Sequence, residues 1–236
     1  MQPLRQLKAD LLGLANPQKA RILARFFKTG KGQYGEGDIF LGIMVPAQRL
    51  IAKKYAAISL KDIKSLLASR VHEHRLVALL ILVSQFQKAD AQGRERIADF
   101  YLSQTCRINN WDLVDLSAAQ ILGEYFWGKD SAILYRLAAS DSLWERRISI
   151  IATFAFVKKG RSQETLGIAE TLIHDRQDLI HKATGWMLRE VGKRDLFSLE
   201  GFLGKHAAVM PRTMLRYAIE RFEERRRKYW LACGRT

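Results

Sequence analysis

"RLVALLILV" (75–83), "DLVDLSAAQ" (112–120), "RISIIATFA" (147–155) and "KATGWMLRE" (182–190) begin 37, 35 and 35 residues apart. In each, apolar residues recur at spacings of three and four, the period of a helix with one buried face. A second, less regular segment precedes each one: "SLKDIKSLLA" (59–68), "GRERIADFYLSQ" (93–104), "SAILYRLAA" (131–139) and "QETLGIAETLI" (163–173). No alternating apolar pattern of useful length occurs, so the chain reads as all-α. Only four prolines are present, and Pro17, Pro46 and Pro211 stand where helices start.

A helix pair repeating at this length predicts a HEAT-like α-solenoid of stacked antiparallel pairs. One pair cannot bury its own face, so neighbours stack and leave a concave surface lined by one helix of each pair. Residues 1–236 are read as a single repeat domain, with 1–55 and 211–236 as atypical capping helices. The charge balance adds surface chemistry: 39 Lys plus Arg stand against 24 acids, a net charge of +15. Such an excess predicts a basic groove and a polyanionic partner, because each cation set against a phosphate releases counterions.

Other classes are excluded or left without support. The longest apolar runs, "LVALLILV" (76–83) and "ISIIATFAFV" (148–157), are too short to span a bilayer. The N-terminus lacks the apolar segment and cleavage site of a signal peptide, so the expected location is the bacterial cytosol or nucleoid. Cys106 and Cys233 show no ligand spacing, and His72 and His74 lie on different helix faces without matching carboxylates; neither a metal nor a cofactor is expected. "GKGQYG" (30–35) fits G-x-G-x-x-G but follows a helix rather than a strand, and reads as a loop between helices.

Register singles out a few residues. The stretch "INNWDLVDLSAAQILGEYFWG" (108–128) reads as one helix with Trp111 and Asp115 one turn apart on one stripe. Asp115 falls in the column of Ala78, Ile150 and Gly185, where packing asks for a small or apolar residue, because an unpaired buried charge is costly. Asn109 or Asn110 can cap this helix, and Asp112 already supplies first-turn negative charge. Asp115 is therefore either a solvent-exposed or salt-bridged carboxylate, or a polar group aimed into a cleft. Trp186 shares the column of Leu79, Leu116 and Ile151 and is flanked at helical spacing by Lys182, Arg189 and Lys193. That stripe suits a nucleic-acid backbone, or else a core tryptophan with charges reaching to water. Arg147 can pair with Glu145 or Glu190, or reach the cleft holding Asp115.

Taken together, "NPQKARILARFFK" (16–28), "FLGIMVPAQRLIAKKY" (40–55), "WDLVD" (111–115), "LWERRIS" (143–149) and "KATGWMLREVGK" (182–193) resemble the HEAT-like alkylpurine DNA glycosylases, the AlkD-type DNA alkylation repair family. The resemblance implies a monomeric enzyme that excises N3- or N7-alkylated purines from double-stranded DNA. It implies Asp115 as the catalytic aspartate, Trp111 and Trp186 as cleft aromatics, and Arg147 as the arginine beside them. Arg147, Lys182, Arg189 and Lys193 would contact DNA. It also implies that the lesion is handled at the duplex surface, and a shallow groove offers no obvious pocket. Two departures bear on lesion preference: a longer glycine-rich loop at 30–37, and Phe26 where some relatives carry Tyr. The rival expectation is a non-catalytic basic HEAT scaffold that binds nucleic acid or an acidic protein.

Overall fold

Asn16 and Pro17 illustrate how local chemistry sets the helices. The Asn16 side chain accepts the Lys19 backbone N–H at 3.0 Å, and Pro17 occupies the first helical position, where no donor is needed. Ser59, Asp90, Ser142 and Asp195 cap later helices in the same way. The computed structural model describes residues 3–233, so Met1, Gln2 and the last three residues of the expected C-terminal cap lie outside the described residues. Among the described residues the regular elements are helices, with one isolated parallel bridge between Ile39 and Val71. No helix among them is long and apolar enough to cross a membrane.

Each of the four repeating segments is helical, and each follows the helix expected before it. The second members are His72–Lys88, Trp111–Asp115, Leu143–Ala152 and Asp178–Gly192. The first members are Leu60–Leu67, Ala91–Ser103, Ala132–Ala138 and Gln163–Thr171. The fold is all-α and HEAT-like, as the repeat length predicts.

The chain divides into two compact units, Met1–Ser117 and Ala118–Thr236. In the first, His72–Lys88 packs against Val45–Lys54 and Leu60–Leu67. Its residues from Leu76 through Leu82 are all buried, which explains why this helix is apolar all round. Burying each such side chain contributes roughly 1.5–3 kcal/mol. In the second unit, Asp178–Gly192 packs against Leu143–Ala152 and Arg212–Ala218. Gly185 permits the second approach: a Cβ there would lie 2.4 Å from the Met214 carbonyl oxygen.

One element departs from expectation. The stretch 108–128 is not one helix: Trp111–Asp115 is α-helical, Ala119–Gly123 is a π-helix and Glu124–Phe126 resumes the α form. Ser117 accounts for part of the break. Its hydroxyl donates to the Leu113 carbonyl at 2.5 Å and meets the Tyr101 hydroxyl at 2.8 Å, competing with the backbone ladder. The stripe that starts with Trp111 and Asp115 therefore does not continue in register beyond them.

Candidate active site

Asn110 starts the short helix that carries the two residues of greatest interest. Of the two asparagines considered as caps, Asn110 is the one that serves: its side chain accepts the Trp111 N–H at 2.8 Å. One turn on, Asp115 is half-buried, in contrast to Ala78, Ile150 and Gly185 in its column, which are buried. Trp186 is half-buried, as is Leu116 in its column, whereas Leu79 and Ile151 are sealed.

Asp115 and Trp111 line a cavity of about 290 Å³ that lies within the N-terminal unit. The shallow surface expected from the sequence thus has a pocket, because aromatic residues from three other segments meet here. Phe27 stacks on Trp111 with ring centroids 5.0 Å apart and planes 13° from parallel, while Phe26 meets the same indole edge-on at 5.8 Å. Phe27 also stacks on Phe40 at 5.0 Å, and Phe40 in turn stacks on the His72 ring at 4.6 Å. At the rim, Phe26 is 62% exposed and Met44 50% exposed, so the cavity opens to solvent past an apolar lip.

Beneath the aromatics lies a buried ionic network. His72, 2% exposed, places Nε2 at 2.8 Å from Asp112 Oδ2 and Nδ1 at 3.3 Å from Asp38 Oδ2. Carboxylate oxygens face both ring nitrogens, and only the imidazolium can donate to both. Burial alone would lower the His72 pKa, but the hydrogen bonds it donates to Asp112 and Asp38 outweigh it and raise the pKa. Asp38 also accepts from Arg75 Nη2 at 2.5 Å; burial opposes its charge, yet His72 and Arg75 hold its pKa below the ordinary carboxylate value. Asp112 does more than serve the helix dipole: Oδ1 accepts the Leu113 N–H at 2.9 Å while Oδ2 meets His72.

Glu73, next to His72 and 1% exposed, accepts the backbone N–H groups of Leu41, Gly42 and Ile43 at 2.8–3.2 Å. It thereby fixes the loop that carries Phe40 and Ile43 to the cavity wall. The loop before it, including "GKGQYG", is irregular as expected, with positive φ at Lys28, Gly32 and Gly37.

The remaining sequence-predicted residues belong to the second unit. Arg147 is 5% exposed, and its Nη1 donates to the Leu179 carbonyl at 2.5 Å. The Trp186 ring lies 5.9 Å from that of Phe154, and its Nε1 donates to Glu190 at 3.2 Å. Glu190, 6% exposed, also receives Lys193 at 2.6 Å and Arg189 at 3.6 Å. Arg189 further pairs with Glu220, and Lys182 with Asp178 at 2.7 Å. Glu190 therefore gathers Trp186, Lys193 and Arg189, while Lys182 is held by Asp178.

Sequence reasoning missed the His72–Asp38–Asp112 network, the Glu73 clamp, the Phe27–Phe40 stack and the central role of Glu190. A signal existed for the first two: His72, Glu73 and Arg75 head a helix whose next turns are wholly apolar, so polar groups there require buried partners. Among the described residues no group of three or more His, Cys, Asp or Glu is placed to hold a metal ion.

Comparison with known proteins agrees with this architecture. The family model for DNA alkylation repair enzymes matches residues 7–222. A solved structure described as a predicted DNA alkylation repair enzyme from Enterococcus faecalis superposes with a TM-score of 0.69 at 17% identity, covering 89% of this chain and 97% of that one. At that identity the likeness shows the fold. No curated protein matches the chain.

Proposed function

Because the chain belongs to the DNA alkylation repair enzyme family, we propose that it is a DNA glycosylase that hydrolyses the N-glycosidic bond of cationic N3- or N7-alkylated purines in duplex DNA. One observation carries this reading. Asp115 occupies a column that is otherwise buried and small or apolar, yet it lines an aromatic cavity beside Trp111.

The chemistry suits a single carboxylate. Breaking the glycosidic bond develops positive charge on the sugar, which a nearby carboxylate stabilises. A normal purine would also need a general acid to protonate the leaving base. A purine alkylated at N3 or N7 already carries that positive charge and departs as a neutral base. Asp115 stabilises the sugar cation and positions the attacking water. Trp111 and Trp186 present electron-rich faces to the cationic base or to polarised sugar C–H groups, worth roughly 0.5–2 kcal/mol per contact.

Of the predicted contacts, Lys182 and Lys193 are the exposed ones and hold phosphates flanking the lesion, whereas Arg147 is buried against the Leu179 carbonyl and Arg189 is engaged by Glu190 and Glu220. The present partners of Lys182 and Lys193 do not preclude this. Their side chains are 42% and 38% exposed, and ion pairs at such positions are worth about 1 kcal/mol or less, so a phosphate can exchange for them.

Incubation with N-methylated duplex DNA followed by alkali tests the proposal, because alkali cuts at abasic sites. Strand breaks at purines are expected from the enzyme. A scaffold that only binds DNA would leave the strands intact.

A further inference from the structure

A second cavity, of about 210 Å³, lies in the N-terminal unit, and arginines wall it. Arg70, Arg75 and Arg107 line it together with Asp38 and Asn109. Its volume is below the roughly 300–1,000 Å³ of small-ligand sites, so it admits one compact group rather than a whole nucleotide.

The fold does not consume these arginines. The exposed Arg107 guanidinium makes no hydrogen bond or ion pair with another described residue. Arg70, also exposed, commits only Nε, to the Gly37 carbonyl at 3.3 Å. Arg75 is 5% exposed: its Nη2 donates to Asp38, while its buried Nε has no partner. Asn109 leaves its buried Oδ1 without one, and a half-turn of that amide presents NH₂ donors in its place. Buried polar groups seldom go unsatisfied, so two such groups around one recess point to a missing guest.

Charge selects that guest. The buried Arg75, Asp38, His72 and Asp112 alternate in sign and cancel. Arg70 and Arg107 then stand against Glu36, whose Oε2 is turned to the Gly32 N–H at 2.7 Å. The surplus is positive, and guanidinium forks match the paired oxygens of a phosphate. The walls are set in advance. The Ile39 N–H donates to the Arg70 carbonyl and the His72 N–H to the Ile39 carbonyl, both at 2.9 Å, which pins the rim beside Arg70.

We propose that this recess binds one phosphate group through Arg70, Arg107 and Asn109, with Arg75 supplying buried positive charge. A phosphodiester of the lesion duplex is one source, and that source rests on the glycosylase reading; free phosphate is the other. The exposed phosphate contacts Lys182 and Lys193 belong to the second unit, whereas Asp115 belongs to the first. Arg107 and Asn109 stand just before the helix Trp111–Asp115, so a backbone phosphate held there ties the strand to the segment that carries the carboxylate.

Two binding measurements on the full chain test this. In calorimetric titration with inorganic phosphate at fixed ionic strength, Arg107→Ala should weaken binding at least about tenfold, the loss of one charge-assisted pair. Lys61, exposed on the helix Leu60–Leu67 and outside the recess wall, is the control for charge alone: Lys61→Ala should stay within about twofold of wild type. In the second measurement, affinity for an undamaged duplex is followed against salt. Arg70→Ala/Arg107→Ala should lower the slope of log affinity on log salt by about one, the count for a single shared phosphate.

A slope lower by about one assigns the recess to the DNA backbone. Phosphate binding lost selectively in Arg107→Ala, with the slope unchanged or lower by about two, assigns it to free phosphate. The inference is overturned when neither arm singles out these arginines: phosphate bound equally by all three proteins or by none, and a slope that is unchanged or falls by about two, as separate surface cations would give. Neither arm involves excision, so that result leaves the glycosylase reading standing, and a chain that excises nothing can still show the phosphate site.

Discussion

Replacing His72 with leucine removes the cation between two buried carboxylates. Asp112 is 6% exposed and keeps the Leu113 N–H; the Asp38 side chain is also 6% exposed but retains Arg75. Breaking a buried pair by deleting one partner costs about 3–5 kcal/mol. Because Arg75 continues to compensate Asp38, we expect His72→Leu to lose about 3 kcal/mol, at the lower end of that range. Removing the stranded charge as well, in His72→Leu/Asp112→Leu, should recover at least about 1 kcal/mol, since a buried pair replaced on both sides is tolerated better than one broken on one side.

The sign of the pH dependence follows from the direction of each shift. The His72 pKa is raised above 6.5, so its stabilisation is fully present below that value and is lost as pH rises through the folded pKa. The Asp38 pKa is lowered below 3.8, so its contribution is present above that value and is lost as pH falls through the folded pKa. Urea unfolding followed by circular dichroism at pH 6 and at pH 9 reads both effects. The gap between wild type and His72→Leu should be largest at pH 6 and narrower at pH 9. A loss below about 1 kcal/mol at pH 6, or a gap that widens toward pH 9, would refute the reasoning.

Two further outcomes test other parts of the account. Gly123→Val would place a Cβ 2.2 Å from the Ala152 carbonyl oxygen, so thermal unfolding should show a loss of about 1–3 kcal/mol or more from forced separation; an unchanged or higher Tm contradicts the close approach. Trp111→Ala combined with Trp186→Ala should slow excision of cationic lesions at least about fivefold, from two contacts of roughly 0.5–2 kcal/mol each. Single-turnover rates at the wild-type level would return both indoles to a packing role.

The helix pairs were legible because their apolar spacing and caps act within a few residues. Asn16, Ser59, Asp90 and Ser142 each satisfy backbone donors three residues on, and the repeat of about 35 residues reflects one helix pair stacking on the next. Asp115 stood out in the sequence by its charge, and it is half-buried where Ala78, Ile150 and Gly185 in its column are buried. The π-helix at Ala119–Gly123 was not legible: Ala119 and Gly123 keep the helical spacing, and only the Ser117 hydrogen bonds disclose the break.

The cavity escaped for a different reason. Leu23, Phe40, His72 and Trp111 are far apart in sequence, and what joins them is Glu73 holding the loop backbone and His72 holding Asp112. Periodicity reports which face of a helix is buried. It is silent on which loop is pinned against that face. The same limit hid Glu190, whose value lies in the Trp186, Lys193 and Arg189 contacts it gathers.

The most direct measurement of the central claim is release of free 7-methylguanine or 3-methyladenine from methylated duplex DNA by Asp115→Asn, alongside its affinity for the same duplex. Removing the carboxylate charge should slow release at least about a hundredfold, the scale of one lost transition-state contact, and leave affinity within about twofold. Release at the wild-type rate would contradict the account and take Asp115 out of the chemistry.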